Sequence, residues 1–149
     1  FRVKWVHFGW GAEEDHAKVL AAMKTLPPNV EVEMKGMVPN EEILRFYSLD
    51  QVNLFINVSV KEGLPFSALE ALSFGIPLIL TDTNGAAELI SDNGFLIPVD
   101  FDAGAVAQAV ATIKNGDQAR YRQNSRTLFT ERFSSDVNYS WFIEQISSL

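Results

Sequence analysis

Two acidic side chains, Glu62 and Glu70, stand on either side of a proline, with seven residues between them. Pro65 suits the first position of a helix, because its ring fixes φ and the N–H it lacks would have no partner there. We therefore expect a helix over residues 65–74. Glu62 then lies just before the helix, and Glu70 about one and a half turns inside it. Carboxylates so placed could each accept two hydrogen bonds from neighbouring hydroxyl groups of a sugar.

The start of this helix is suited to binding a phosphate group. The amides of Leu64, Phe66 and Ser67 have no acceptor within the helix, and the helix dipole adds partial positive charge at the same end. Gly63 has no Cβ, so the backbone there can approach an anion closely. A carboxylate beside a phosphate is repelled unless it binds something else. The pattern therefore predicts a diphosphate that carries a sugar at each end.

The segments around this helix alternate between strand and helix patterns. Apolar runs of strand length cover residues 52–58 before it and 76–80 after it. Further strands are expected at residues 3–8, 30–34 and 94–99, and further helices at 13–26, 41–49, 83–90, 103–114, 117–132 and 134–148. This order predicts an α/β fold, a doubly wound parallel sheet that ends in C-terminal helices. In such folds the ligand lies beyond the carboxyl ends of the strands.

The composition of the chain limits the classes of partner and of site that we expect. The 149 residues are 47% hydrophobic, which predicts one domain with a single packed core. A net charge of −7 argues against a nucleic-acid partner, because binding to a phosphate backbone needs a basic face. No apolar run approaches the roughly 20 residues that cross a bilayer. Cysteine is absent, and neither His7 nor His16 has a second ligand at metal spacing, so we expect no metal site.

Three strings, S-x-x-E-G-L-P, E-A-L-S-F-G-I-P and T-D-x-x-G-x-x-E-L-I, follow one another from Ser59. In order and spacing they resemble the E-x7-E pattern of GT-B retaining glycosyltransferases, in particular family 4, the glycosyl transferases group 1. The resemblance implies that Glu62 contacts the transferred sugar and Glu70 the ribose of a nucleotide. It also implies that the segment of Gly63, Leu64, Pro65 and Phe66 holds the diphosphate through its main-chain amides. Transfer would retain the anomeric configuration and need no metal or other cofactor.

The resemblance extends to earlier residues. It implies that Gly9, in a G-x-G turn, approaches the donor, that the backbone of residues 36–38, including Val38, contacts the base, and that Ile43 adds an apolar contact. Plainer interpretations stand beside these. Gly9 could form an ordinary tight turn, and Ile43 could belong to the core. Glu62 could be a solvated loop charge, and Glu70 part of the polar stripe of an amphipathic helix.

The resemblance also sets the expected domain organisation. Residues 1–149 would be a single C-terminal nucleotide-sugar-binding domain, with the acceptor domain and a cationic clamp for the diphosphate in a segment before Phe1. The fragment alone is then expected to bind donor without turnover. The full-length protein would be a cytoplasmic hexosyltransferase of polysaccharide or glycoconjugate biosynthesis, with a glycan or lipid-linked acceptor and peripheral membrane contact. The alternatives are a non-catalytic nucleotide-sugar-binding domain and a GT-B sugar-nucleotide 2-epimerase.

Overall fold

The computed structural model describes residues 1–9, 11, 13–49 and 51–148, without the side chains of residues 13 and 14. The chain divides into two compact units, Phe1–Leu49 and Asp50–Leu149. None of the helices in the described ranges combines the length and the apolar character that a membrane span requires.

The first unit is a βαβα arrangement. Its elements are β1 (Val3–Phe8), α1 (Glu13–Met23), β2 (Val30–Gly36) and α2 (Asn40–Leu49). The two strands pair in parallel, as expected when a helix connects them. The rings of Phe8 and Phe46 meet edge to face with their centroids 5.3 Å apart, and this contact packs α2 against β1.

Charged side chains of this small sheet form one exposed cluster. The Lys35 and Lys4 ammonium groups both pair with the Glu33 carboxylate. These hydrogen bonds lower the pKa of Glu33 below its usual value, those of Lys35 first and Lys4 second. A lowered carboxyl pKa favours the folded state above the unfolded pKa, and this contribution disappears as the pH falls through the folded value.

The second unit contains the remaining elements. They are β3 (Phe55–Asn57), α3 (Phe66–Ser73), β4 (Leu78–Thr81), a 3-10 helix (Ala86–Leu89), β5 (Gly94–Ile97), α4 (Ala103–Asn115), α5 (Gln118–Arg132) and α6 (Ser135–Ser147). The three strands form a parallel sheet in the order β3-β4-β5. All four residues of the central strand β4 are buried, which is typical of a parallel strand covered on both faces.

Apolar side chains at helical spacing explain how the second unit packs. In α3, Ala68, Ala71 and Leu72 are fully buried, three and four residues apart, so they lie on one face of the helix. A separate cluster joins the sheet to α4 through Ile79, Ile97, Ala109 and Ile113. Polar residues cap the last three helices, with Asp102, Asp117 and Ser134 each accepting a bond from a first-turn amide. Each of the helices α4, α5 and α6 starts at the residue that follows its cap.

The α/β class, the parallel pairing and the C-terminal helices are confirmed. The described strands form two parallel sheets, β1-β2 and β3-β4-β5, where the sequence predicted a single one. The other differences lie at the ends of elements. Strand β3 is shorter than the expected run over 52–58, and α1 ends at Met23, followed by amide bonds to carbonyls three residues back. The helix α2 starts at Asn40, one residue before the expected start at residue 41. Pro65 is the cap of α3 and not its first residue, because its ψ of 101° is extended, and the proline ring constrains only φ.

One buried hydroxyl of α5 allows a prediction about stability. The fully buried Ser125 donates from Oγ to the Ile76 carbonyl at 3.0 Å, which ties α5 to the segment before β4. Replacing Ser125 with alanine leaves that carbonyl without its partner, and we expect a loss of about 1 to 3 kcal/mol of folding free energy. Thermal denaturation measures it. An unchanged melting temperature would show that water or a neighbour replaces the bond.

Candidate functional site

The β3–α3 loop, residues 58–65, begins with a turn that side chains stabilise. The Asn57 carboxamide oxygen accepts from the Ser59 amide at 2.8 Å, a turn that asparagine forms readily. The Thr81 hydroxyl, at the end of β4, donates to the Ser59 carbonyl. Ser59 is therefore held from two sides, by the strand that precedes the loop and by its neighbour in the sheet.

Glu62 is fixed within this loop. Its side chain is half-buried, and Ser59 Oγ donates to Glu62 Oε1 at 2.9 Å. A hydroxyl that donates to a carboxylate makes a strong, charge-assisted hydrogen bond. This bond and the partial burial hold the carboxylate within the loop, and a role of Glu62 in binding a sugar stays a prediction.

The next residue, Gly63, is braced by a glycine from the loop after β4. The Gly85 amide donates to the Gly63 carbonyl at 3.1 Å. A Cβ on Gly85 would lie 2.4 Å from that carbonyl oxygen and 2.9 Å from Leu64 Cα, closer than a side chain can approach. A Cβ on Gly63 would meet no described atom within 4 Å, so this glycine faces open space. The loop thus packs tightly on one side of Gly63 and leaves room on the other.

The start of α3 leaves main-chain donors available. The carbonyl of Pro65, which is buried, accepts from the Ala68 and Leu69 amides, both at 3.0 Å. Within the described part of the chain, the amides of Leu64, Phe66 and Ser67 donate to no protein acceptor. These are the three amides that the sequence predicts to be available, and an anion at a helix start is the partner that they suit.

Glu70 lies in the second turn of α3, on a half-buried side chain. Its carbonyl accepts from Ser73 Oγ at 2.7 Å. Ser67 is exposed and Ser73 half-buried, while the opposite face of α3 is fully buried. This pattern fits the polar stripe of an amphipathic helix as well as a ribose contact, so the role of Glu70 stays a prediction.

The charges around the loop are sparse. Lys61 is exposed and forms no ion pair with any residue that the structure describes. Across the same ranges, no group of three or more His, Asp or Glu side chains is arranged to hold a metal ion. The expectation of a reaction without a metal ion stays a prediction.

The first unit contains Gly9 beside a cavity. Gly9 has a positive φ of 101°, which only glycine adopts easily, and its amide donates to the Gly36 carbonyl at 2.7 Å. A cavity of about 410 Å³ is lined by His7, Phe8, Gly9, Gly11, Asp15, His16, Val19 and Met34. Trp10, the middle residue of the G-x-G turn, is outside the described residues. Gly9 is therefore in a turn that favours glycine, beside this cavity, and its donor contact stays a prediction.

Val38 and Ile43 are also in the first unit, both half-buried. Val38 follows β2, and Ile43 lies in the first turns of α2. Met37, next to Val38, is 76% exposed, and the contact of this backbone with a base stays a prediction. Half-burial of Ile43 fits a core position as well as a contact with a base, and both interpretations remain.

Three residues of the site are not evident as site residues in the sequence. Ser59 matters for its contact with Glu62, Thr81 for its bond to Ser59, and Gly85 for its close approach to Gly63. All three belong to the strings that carry the family resemblance, and this is the signal that could have found them. Their contacts depend on which strand lies beside the loop, which the strings do not state.

Comparison with known proteins identifies the family. The model of the glycosyl transferases group 1 matches residues 2–128. The O-antigen biosynthesis glycosyltransferase WbnH of Escherichia coli is 46% identical over 56 residues, which are 38% of this chain and 17% of WbnH. The amylovoran biosynthesis glycosyltransferase AmsK of Erwinia amylovora is 33% identical over 94 residues, 58% of this chain and 22% of AmsK.

A solved structure shares the fold. Anabaena Alr3699/HepE in complex with UDP superposes with a TM-score of 0.74 at 21% identity, over 99% of this chain and 41% of that one. The chain spans about a fifth of the length of the curated relatives above, 17% of WbnH and 22% of AmsK. Because the family model covers most of its length, the chain belongs to the glycosyl transferases group 1 family.

Proposed function

We propose that this chain binds the nucleotide-diphosphate sugar donor of a retaining glycosyltransferase. The observation that carries the proposal is the pairing of a held carboxylate, Glu62, with available amides at the start of α3. Amides and helix dipole suit the diphosphate, and a carboxylate suits the hydroxyl groups of the attached sugar. Both ligand parts are therefore matched by groups that lie within one short segment.

The diphosphate would lie on the open side of Gly63. It would accept hydrogen bonds from the amides of Leu64, Phe66 and Ser67, which find no other partner among the described residues. The transferred sugar would then lie next to Glu62, whose Oε2 is not used by Ser59. Glu70 would bind the ribose at the other end of the donor.

The reaction breaks the bond between the anomeric carbon and the diphosphate oxygen, and forms one from the same carbon to an acceptor hydroxyl on the same face. The acceptor loses its proton, and a nucleoside diphosphate leaves. Main-chain donors at the helix start would stabilise the charge that develops on the departing oxygen, and Glu62 would hold the sugar in the reactive position. No residue of this chain is assigned as a covalent nucleophile.

We place the reaction in the assembly of bacterial surface polysaccharides. The support is that WbnH and AmsK are named for O-antigen and amylovoran biosynthesis. The acceptor, a glycan or a lipid-linked glycan, would bind to another domain of the whole protein. In this arrangement the present chain supplies the donor side only.

A ligand panel tests the proposal. A compound that binds only the folded state raises the melting temperature by mass action. The panel contains UDP-, GDP- and ADP-sugars and the three free nucleoside diphosphates. We expect at least one nucleotide-sugar, together with its own nucleoside diphosphate, to stabilise the full-length protein. Turnover of that nucleotide-sugar, followed by NMR of the product, separates a retaining transferase from a 2-epimerase and from a domain that binds without reaction. The absence of any stabilising pair would refute the proposal.

Gly63→Ala tests the anion site directly. The added Cβ meets no described atom, so the fold should tolerate it, and the melting temperature without ligand should be unchanged. The methyl group would occupy the open side of the loop, where the diphosphate is proposed to lie. Affinity for the nucleoside diphosphate should fall roughly tenfold, about the value of one hydrogen bond to a charged group. Full affinity in this variant would exclude the space beside Gly63 as the diphosphate site.

A further inference from the structure

We propose that Ser59 is a positioning residue for Glu62, and that it acts on the sugar only through that carboxylate. The inference rests on the proposed function, because Glu62 is taken to contact the transferred sugar. Ser59 Oγ donates to Glu62 Oε1 at 2.9 Å, and among the residues that the structure describes it is the only partner of this carboxylate. The hydroxyl thus holds one carboxylate oxygen of Glu62 toward the protein and fixes the orientation of the group.

Ser59 is itself immobilised before it can orient another group. The Asn57 carboxamide oxygen accepts a hydrogen bond from the Ser59 amide at 2.8 Å, and the Thr81 hydroxyl donates one to the Ser59 carbonyl. Thr81 is 2% exposed and ends the fully buried strand β4, so this anchor belongs to the rigid part of the unit. The orientation of the Ser59 hydroxyl therefore derives from the sheet and not from the loop alone.

A glutamate in a loop normally has freedom about several side-chain bonds, and this freedom costs free energy when it is lost on binding. The Ser59 bond removes part of it in advance. With Oε1 held, Oε2 is left to accept from the sugar hydroxyls. A group held in its reactive orientation before the substrate arrives lowers the barrier more than one that must be ordered during the reaction.

The position of Ser59 also separates it from the diphosphate. The amides proposed for the diphosphate belong to Leu64, Phe66 and Ser67, whereas the bonds of Ser59 involve Asn57, Glu62 and Thr81. A change in the Ser59 hydroxyl should therefore affect the sugar end of the donor and spare the nucleotide end. A general collapse of the loop would affect both ends.

A double-mutant cycle in the full-length protein tests the inference. With the donor that the panel identifies, Ser59→Ala should lower kcat roughly tenfold, about the value of one hydrogen bond to a charged group. In a Glu62→Ala background the same change should have less than about twofold effect, because the carboxylate on which Ser59 acts is absent. Equal effects in both backgrounds would overturn the inference.

Binding measurements give a second, independent readout. Ser59→Ala should weaken the nucleotide-sugar and leave the affinity for the free nucleoside diphosphate unchanged, and Ser59→Thr, which keeps the hydroxyl, should restore turnover. Ser125→Ala is the matched control, since it removes a serine hydroxyl that only stabilises the fold. Equal losses for both ligands in Ser59→Ala would indicate a merely structural role. If Ser59→Ala does not fold, Ser59→Thr decides, because inactivity in a folded protein that binds the nucleoside diphosphate contradicts the inference.

The two proposals fail in different ways. If the protein binds none of the nucleotide-sugars and none of the nucleoside diphosphates, the proposed function is wrong, and the role of Ser59 is rejected with it. If the pair binds and Glu62→Gln is impaired while Ser59→Ala is fully active, only the inference about Ser59 is rejected.

Discussion

Replacing Glu62 with glutamine in the full-length protein should lower the rate of sugar transfer by about 100-fold while leaving affinity for the nucleoside diphosphate intact. Two hydrogen bonds from sugar hydroxyls to a charged acceptor are each worth roughly 1.5 to 3 kcal/mol, and every 1.4 kcal/mol is about tenfold. Glutamine keeps the size of the side chain and can still accept from Ser59, so the loop should keep its shape. The expected loss therefore reflects the charge and not the fold.

The measurement is release of nucleoside diphosphate from the donor that stabilises the protein, with a glycolipid extract as acceptor. Glu131→Gln is the control, because Glu131 is an exposed glutamate of α5 outside the β3–α3 loop. Its variant should turn over at the unaltered rate. A Glu62→Gln protein as active as this control would remove Glu62 from the reaction.

Gly85→Ala should displace the β3–α3 loop and so weaken binding of the nucleoside diphosphate. A Cβ on Gly85 would lie 2.4 Å from the Gly63 carbonyl oxygen. Because the backbone fixes the position of a Cβ and the oxygen belongs to the main chain, no side-chain rotation relieves the overlap. The loop has to shift, and the bond from the Gly85 amide is strained with it. We expect a loss of about 1 to 3 kcal/mol in stability, as for overpacked interiors. Affinity for the nucleoside diphosphate should fall at least about tenfold, because the amides move with the loop.

Gly116→Ala is the control for this prediction, because it also introduces a steric overlap but lies outside the β3–α3 loop. A Cβ there would lie 2.9 Å from the Tyr121 ring and 3.0 Å from the Thr112 carbonyl, at the junction of α4 and α5. This variant should lose stability and keep its affinity for the nucleoside diphosphate. If Gly85→Ala shows the same separation, with lower stability and full affinity, then the contact between Gly85 and Gly63 does not shape the binding loop.

The sequence predicts the order of elements well because local patterns determine them. The apolar run before Thr81 and the helical spacing of Ala68, Ala71 and Leu72 are visible without any knowledge of the fold. The ends of elements are less predictable. Pro65 can serve as a helix cap or as the first helical residue, because its ring restricts φ and leaves ψ free, and the choice depends on the path of the loop.

The candidate site follows the same division. Glu62 and the amides at the start of α3 follow from spacing alone, since a loop acid and a helix start are local features. The contacts of Ser59 with Thr81 and of Gly63 with Gly85 each join residues 22 positions apart. Such pairs meet because β3 and β4 are neighbours in the sheet with Asn57 beside Leu80. That pairing is a property of the folded sheet, and the chemistry of the individual residues does not determine it.

The complete burial of β4 has a consequence for engineering. None of its four side chains reaches the surface, so none is available to contact a sugar directly. An attempt to redirect the protein to another donor would gain nothing from substitutions inside this strand and would risk the packing of the whole unit. Designers should instead vary the two loops that emerge from the ends of β3 and β4, and treat the strand between them as a fixed foundation.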